Sequence, residues 1–221
     1  MSFKRILDII FSSILIILTA PLMLLIIILI KIDSFGPAIF TQTRIGINRR
    51  QYTSSRRAQK SVPCERRRYD LGGRPFTMYK FRSMIQEAEA VLPCLVDLGA
   101  LSEPVYKLQN DPRITRFGKL IRKSSLDELP QIFNVLKGDM SLVGPRPEAK
   151  RVVLLYNEKE RKRLNALPGI TGLQQIKCRG TQSMEERLKY DIYYIRRQSF
   201  LLDIWILFLT IFFVILGKGA Y

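Results

Sequence analysis

The sequence contains no histidine, has 19 acidic residues against 36 basic ones, and carries only three cysteines. Without histidine there can be no serine–histidine relay and no imidazole-ligated metal. Any nucleophilic, acid–base or metal chemistry must then use carboxylates, lysines, hydroxyls or thiols. Cys64, Cys94 and Cys178 are odd in number, widely spaced and free of any CxxC pair. They offer neither a disulfide framework nor a zinc site, and read as reduced thiols facing a cytoplasm-like compartment. The shortage of acids leaves a formal net charge of +17. That excess points to a polyanionic partner: nucleic acid, an anionic membrane face or phosphate-bearing substrates.

The chain of 221 residues is long enough for one domain with a real core and an appended membrane element. Its apolar residues concentrate at the two ends. Ile6 to Ile30 is almost continuous Ile, Leu, Phe and Met, interrupted by Asp8, Ser12, Ser13, Thr19, Ala20 and Pro21. As a helix it would run roughly 37 Å, enough to cross a bilayer core. A single spanning anchor is the plain reading. Two features favour a re-entrant helix instead. Lys4 and Arg5 precede the run and Lys31 follows it, drawing both ends to the same side. Pro21 removes one backbone hydrogen bond and predicts a kink, with Thr19 near enough to serve the freed carbonyl. Only one other long apolar run exists, Phe200 to Leu216, so a protein of many spans is excluded. That second run is apolar enough for another span, with Asp203 near its start and a short polar tail after it leaving an interfacial helix equally open.

Between these ends, residues 37–44 and 74–81 read as paired strands. The segment 44–74 that joins them is polar and arginine-rich, with Arg49, Arg50, Arg56, Arg57, Arg66, Arg67 and Arg68. Such a loop suits anionic lipid headgroups, or is simply a solvated charge run. A helix is expected through Gln86, Glu87 and Glu89, followed by a loop-like stretch 92–106. A second, basic amphipathic helix is expected to start at Asn110-Asp-Pro. Its apolar face carries Ile114, Phe117, Leu120 and Ile121, and its basic face Arg113, Arg116, Lys119, Arg122 and Lys123.

The most informative stretch is Lys123-Ser-Ser-Leu-Asp-Glu-Leu-Pro-Gln131. Ser125-x-x-Glu128 has the spacing of a capping box opening a helix that Lys137-Gly138 ends. Leu126, Leu129, Ile132, Phe133 and Leu136 form the expected buried stripe, with Asp127, Gln131 and Asn134 on the polar face. Acids in a first turn stabilise a helix without further role. The surroundings allow more. Arg122 and Lys123 flank the pair, and Pro145-Arg146-Pro147 holds a guanidinium on stiff extended backbone, suited to bidentate phosphate recognition. Adjacent carboxylates bind Mg²⁺ together with substrate phosphates. These are the parts of a phosphoryl-transfer site, with an aspartate available as nucleophile.

Beyond Pro147 a charged helix is expected to about Ala166, stopped by Pro168-Gly169, then an extended stretch 170–180. Ser183-Met-Glu-Glu186 has the spacing of a second capping box, opening a helix through Ile195. Asp191 and the tyrosines of this helix either bind or pair with Lys80 or Arg122, or serve structural packing, and the sequence favours packing at least as much.

Several segments together resemble the bacterial sugar transferases, the monotopic phosphoglycosyl transferases. They are Lys80-Phe-Arg-Ser-Met84, Asn110-Asp-Pro-Arg-Ile114, Ser125-Leu-Asp-Glu-Leu-Pro-Gln131, the run Asn134 to Pro147, and Pro168-Gly-Ile-Thr-Gly172. The resemblance covers nearly the whole chain. It implies an α+β, mostly helical protein with a re-entrant membrane helix over 1–35, broken at Pro21, and a small catalytic domain over 36–221 with a short β-hairpin and interfacial amphipathic helices, among them the apolar helix 199–216 packed along the domain. The implied activity moves a sugar-1-phosphate from a nucleotide diphosphate sugar, a UDP-hexose by expectation, to undecaprenyl phosphate, releasing UMP. Asp127 would attack the β-phosphate, and Glu128 with Asp127 would hold Mg²⁺. Lys80, Arg122 and Arg146 of Pro145-Arg146-Pro147 would neutralise the phosphates. The implied place is the bacterial cytoplasmic membrane, with the catalytic domain on its cytoplasmic face. Two features depart from the family pattern: Ala20 stands before Pro21 where relatives often carry serine, and the arginine-rich loop is long. The alternative from charge alone is a membrane-tethered binder of nucleic acid or anionic lipid. No RNP-like or helix-turn-helix pattern supports nucleic acid.

Overall fold

A computed structural model describes residues 3–47, 72–95, 108, 111–178 and 183–215. Most of the arginine-rich loop, Asn110 and the tail after residue 215 lie outside the described residues. The arrangement is α+β and mostly helical, as expected.

Helix α1 (Phe3–Asp33) runs through Pro21 without a break. The Thr19 hydroxyl donates to Leu15 O at 2.7 Å, not to the carbonyl that proline leaves free four residues back at Ile17. Among the described residues, α1 alone is long and apolar enough to cross a membrane. One face of α1 exposes Ile10, Ile14, Ile17, Leu18, Leu24 and Ile28, whereas Asp8, Ser12, Met23, Ile26 and Ile30 are buried against the rest of the chain.

Strands β1 (Ile39–Ile45) and β2 (Pro75–Phe81) pair antiparallel with Phe40 opposite Lys80. This confirms the expected hairpin to within two residues at its ends. β1 also pairs with the short β4 (Glu148–Ala149), giving the order β2-β1-β4. After β2 come α2 (Ala88–Leu95) and α3 (Arg116–Lys123). The expected loop from residue 92 therefore begins at least a turn later. α3 starts at Thr115, whose hydroxyl accepts from Gly118 N at 3.0 Å, rather than at Asn110-Asp-Pro. Arg113 is not on a solvated basic face. It is buried and bonded to Asp111 through Nε at 2.8 Å and Nη2 at 2.6 Å. Leu120, expected inside, is exposed.

A 3₁₀ turn (Leu126–Glu128) and α4 (Gln131–Lys137) replace the single capped helix expected from residue 125. The capping box does not form, because Ser125 sits at φ 57°, ψ 16° with no side-chain cap bond. A left-handed non-glycine residue is costly locally, and here it turns the chain sharply enough to begin the 3₁₀ turn. Gly138 ends α4 in the left-handed region, as Lys137-Gly138 predicts. The buried face of α4 is Gln131, Ile132, Asn134 and Val135, while Phe133 and Leu136 are exposed. The polar face read from the sequence is thus the one turned inward.

β3 (Ser141–Val143) pairs parallel with β5 (Gly169–Thr171). The long helix expected over 147–166 is instead β4, α5 (Lys150–Leu154), α6 (Glu158–Arg161) and a 3₁₀ turn (Lys162–Asn165). Asn157 interrupts it by forming a full capping box with Glu160 for α6. The stretch after β5 is helical, α7 (Leu173–Lys177), not extended. α8 (Met184–Arg197) forms where expected but without a side-chain cap from Ser183. α9 (Phe200–Ile215) closes the described chain.

Two cores result. Phe76, Met78, Val135, Met140, Leu142, Tyr194 and Ile206 join β2, α4, β3, α8 and α9. Met23, Ile26, Ile30, Phe81 and Ile121 join α1 to the end of β2 and to α3, with Leu126 and Leu129 of the dyad turn packed against them.

Candidate active site

Asp127 and Glu128 share one turn, and the other side chains of the site come from separate segments. Leu126 and Leu129 point their turn toward α1, so Asp127 and Glu128 face the other way, toward β2. Lys80 projects from β2 between Met78 and Arg82. Its ammonium donates to Glu128 Oε1 at 2.8 Å and lies 3.8 Å from Asp127 Oδ2. Arg146 donates from Nη2 to the same Glu128 Oε1 at 2.9 Å. The carboxylate side chains are only 13% and 19% exposed, so these pairings are worth more than surface ion pairs.

Asn134 locks the dyad helix to the strand that carries Lys80. Fully buried on α4, it donates from Nδ2 to Thr77 O at 2.7 Å and accepts from Tyr79 N at 3.0 Å. β2 is the edge of its sheet, and the Asn134 amide satisfies its free edge as a neighbouring strand would. Lys137 adds a bond to Tyr79 Oη at 2.6 Å.

Pro145 and Pro147 are buried and Arg146 between them is exposed, so the arginine is presented on a fixed backbone. Gly144 N donates to Thr171 O at 2.9 Å and Gly169 N to Pro145 O at 2.9 Å. A side chain at Gly144 would meet Leu167 O at 2.3 Å, which explains the glycine there and the Pro168-Gly-Ile-Thr-Gly172 segment facing it. Below the loop, Arg163 is buried. It lies 2.7 Å from Asp191 Oδ2, donates to Tyr156 Oη at 2.7 Å and reaches Arg146 O at 3.4 Å. Asp191 thus pairs with buried Arg163, which gives it the structural role and not a partnership with Lys80 or Arg122.

The electrostatics separate the two acids. Burial raises Glu128, but the charges and hydrogen bonds of Arg146 and Lys80 outweigh it and hold the carboxyl well below the usual glutamate range. For Asp127, burial wins: it lifts the carboxyl above the ordinary aspartate value, with Glu128 adding to the rise and Lys80, Arg122 and Arg146 opposing it. Arg122 therefore acts on Asp127 through its field.

Asp127, Glu128, Lys80 and Arg146 come together as the sequence reading expects. Arg44, at the end of β1, escaped that reading. Burial lowers its pKa, and its charge is coupled to Arg146, Glu148 and Glu128. Nothing in the local pattern of β1 marks it, because it reaches the site only through β1–β4 pairing. Arg163 was equally hidden in a run of charges.

The motif Lys80-Phe-Arg-Ser-Met84 proves to be shared between site and scaffold. Lys80 enters the site and Phe81 the α1 core, while the Arg82 guanidinium donates to Ser34 O at 2.5 Å and Ser34 Oγ at 2.9 Å beyond the end of α1. Ser83 O accepts from Thr115 N at 3.1 Å. At the other end of α1, Arg5 donates to the carbonyls of Val135 and, at 2.7 Å, Leu136, while Lys4 pairs with Asp203. Asp8 accepts from Leu142 N at 3.0 Å and Ser141 Oγ at 3.1 Å. Both ends of α1 are therefore docked on the body that holds the dyad.

Two oxygen-bearing acids side by side suit a hard cation that also takes phosphate oxygens. Among the described residues no group of three acids or thiols could hold a metal alone. The residues fit Mg²⁺ shared with a substrate and do not fit an all-protein metal cage.

The chain as a whole is similar to known proteins. The model of the bacterial sugar transferase family matches residues 1–60 and 55–217. The galactosyl transferase CpsE of Streptococcus agalactiae is 44% identical over 84% of this chain and 36% of its own length. A UDP-glucose:undecaprenyl-phosphate glucose-1-phosphate transferase of Klebsiella pneumoniae is 39% identical across all of this chain and 42% of its own length. The exopolysaccharide production protein ExoY of Rhizobium meliloti is 36% identical over 99% of this chain and 88% of its own. The chain thus spans about two-fifths of the first two relatives and nearly all of the third. It belongs to the bacterial sugar transferase family.

Proposed function

We propose that this chain transfers a sugar-1-phosphate from a UDP-sugar to undecaprenyl phosphate, through a covalent intermediate on Asp127. The carrying observation is the asymmetric dyad: Glu128 is tied to Lys80 and Arg146, while Asp127 keeps an oxygen for attack at the edge of their field. An Asp127 oxygen bonds to the β-phosphorus, the bond to the α-phosphate oxygen breaks, and UMP leaves with that electron pair. An oxygen of undecaprenyl phosphate then attacks the same phosphorus, and the Asp127 carboxylate is released as the lipid diphosphate sugar forms. Lys80 and Arg146 offset the charge that moves between the phosphates, and the Pro145–Pro147 backbone holds Arg146 for that purpose. Mg²⁺ held by Glu128 and Asp127 would supply further neutralisation of the donor diphosphate. The names of the Klebsiella pneumoniae relative, and of a Salmonella typhimurium undecaprenyl-phosphate galactose phosphotransferase 39% identical over 99% of this chain, support both lipid and donor class.

The docking of Lys4, Arg5 and Asp8 at one end of α1 and Asp33 and Ser34 at the other favours a helix that enters and leaves by one leaflet, with the dyad on the cytoplasmic side. A helix crossing the bilayer would part these contacts. α9, apolar but with Asp203 tied to Lys4, fits the interface of the same leaflet. The functional test is UMP release over a panel of UDP-sugars with undecaprenyl phosphate. Release from at least one UDP-sugar, abolished by Asp127→Asn, supports the reading. Release unaffected by Asp127→Asn would sink it.

A further inference from the structure

We propose that Lys80 closes the bare dyad to divalent cations and yields it only to a metal that arrives with the donor diphosphate. The inference rests on the reading of Asp127 and Glu128 as metal ligands and goes beyond it in setting the order of binding. The Lys80 ammonium lies 2.8 Å from Glu128 and 3.8 Å from Asp127, so it occupies the place a cation bridging the two would take. Mg²⁺ needs its oxygens at about 2.0–2.1 Å with near-octahedral freedom around it, which an ammonium at that point denies.

The local charge balance gives the same answer. Lys80 and Arg146 already pair with Glu128, and the fields of Arg122 and Arg44 reach Asp127 and Glu128. Against these four cations stand Asp127, Glu128 and the neighbouring Glu148. A bare dication would enter a site already positive, with no group of three acids among the described residues placed to hold it. A diphosphate reverses this. It brings negative charge on both phosphates, offers oxygens as metal ligands, and draws the Lys80 ammonium onto itself.

Lys80 is the member built to move. Its ammonium sits on a flexible stem, whereas Arg146 is fixed between two buried prolines. Lys80 therefore exchanges partners while Arg146 stays. The dyad is neutralised in both states, first by lysine and then by metal, and Asp127 is not left as a bare buried charge between turnovers.

Equilibrium dialysis of the full chain in nanodiscs against Mn²⁺ tests this, with Mn²⁺ alone and with Mn²⁺ plus UDP, corrected for a protein-free UDP control. Wild type is expected to hold Mn²⁺ at least tenfold more tightly with UDP than without. Lys80→Met is expected to hold Mn²⁺ alone at least tenfold more tightly than wild type does. Should the variant fail to fold, the two wild-type measurements decide. Tight Mn²⁺ binding to the bare wild-type site, lost in Glu128→Gln, would overturn the inference and leave the metal reading standing. No Mn²⁺ bound in any form, with or without UDP, would remove the metal reading and the inference together.

Discussion

Replacing Asn134 with alanine would cut the link between the helix that follows the dyad and the strand that carries Lys80. The wild-type amide makes two hydrogen bonds, 2.7 Å to Thr77 O and 3.0 Å from Tyr79 N, in a fully buried position. Two such bonds contribute about 1–3 kcal/mol net, and leaving the β2 edge unpaired against a packed helix puts the loss near the top of that range. About 2–3 kcal/mol is a large share of a total that rarely exceeds about 15 kcal/mol. For a chain of this size it corresponds to a fall in Tm of about 5–10 °C. Thermal unfolding followed by circular dichroism in one detergent would read that fall. UMP release below the transition should drop as well, because Lys80 would no longer be held against Glu128. A Tm within about 1 °C of wild type would refute the reasoning, since the amide would then not be what joins α4 to β2.

Two further outcomes follow from the scaffold. Gly144→Ala places a methyl 2.3 Å from Leu167 O and 2.8 Å from Gly169 N, both backbone atoms. It should destabilise by about 2 kcal/mol or more, and should raise the KM for the donor by displacing Arg146. Burial pushes the Asp191 carboxyl up to about 6 from an ordinary 3.8, with Arg163 opposing the rise. A raised folded value means that its stabilising contribution is complete below the ordinary value and is lost as pH rises through about 6. Unfolding measured from pH 4 to pH 7 should show this loss, and Asp191→Asn, neutral at every pH, should remove the slope.

Much of this site can be read in the sequence, and for physical reasons. Asp127, Glu128, Lys80 and the Pro145-Arg146-Pro147 turn announce themselves by residue type and backbone stiffness, which are local properties. The β1–β2 hairpin and the stop at Gly138 are equally local, set by alternation and by a glycine free to adopt positive φ. What failed were inferences needing a partner from elsewhere in the chain. Asn134 and Gln131 looked solvated because their periodicity is polar, yet α4 turns them inward to satisfy β2 and the core. Arg113 looked like one more exposed cation until Asp111 and the Ala88 carbonyl claimed it. The capping-box spacing at Ser125 was present, but the left-handed turn there overrode it. The break between α5 and α6 depends on Asn157 preferring to cap a new helix, an outcome a charge-rich run does not reveal.

The central claim is that Asp127 carries the sugar phosphate. Intact-mass measurement of the full chain, incubated with Mg²⁺ and its UDP-sugar but without lipid acceptor, tests it most directly. A mass increase of one sugar phosphate is expected, one that disappears on adding undecaprenyl phosphate and never forms in Asp127→Asn. An adduct that persists in Asp127→Asn, or turnover by wild type with no adduct at any time, would contradict it.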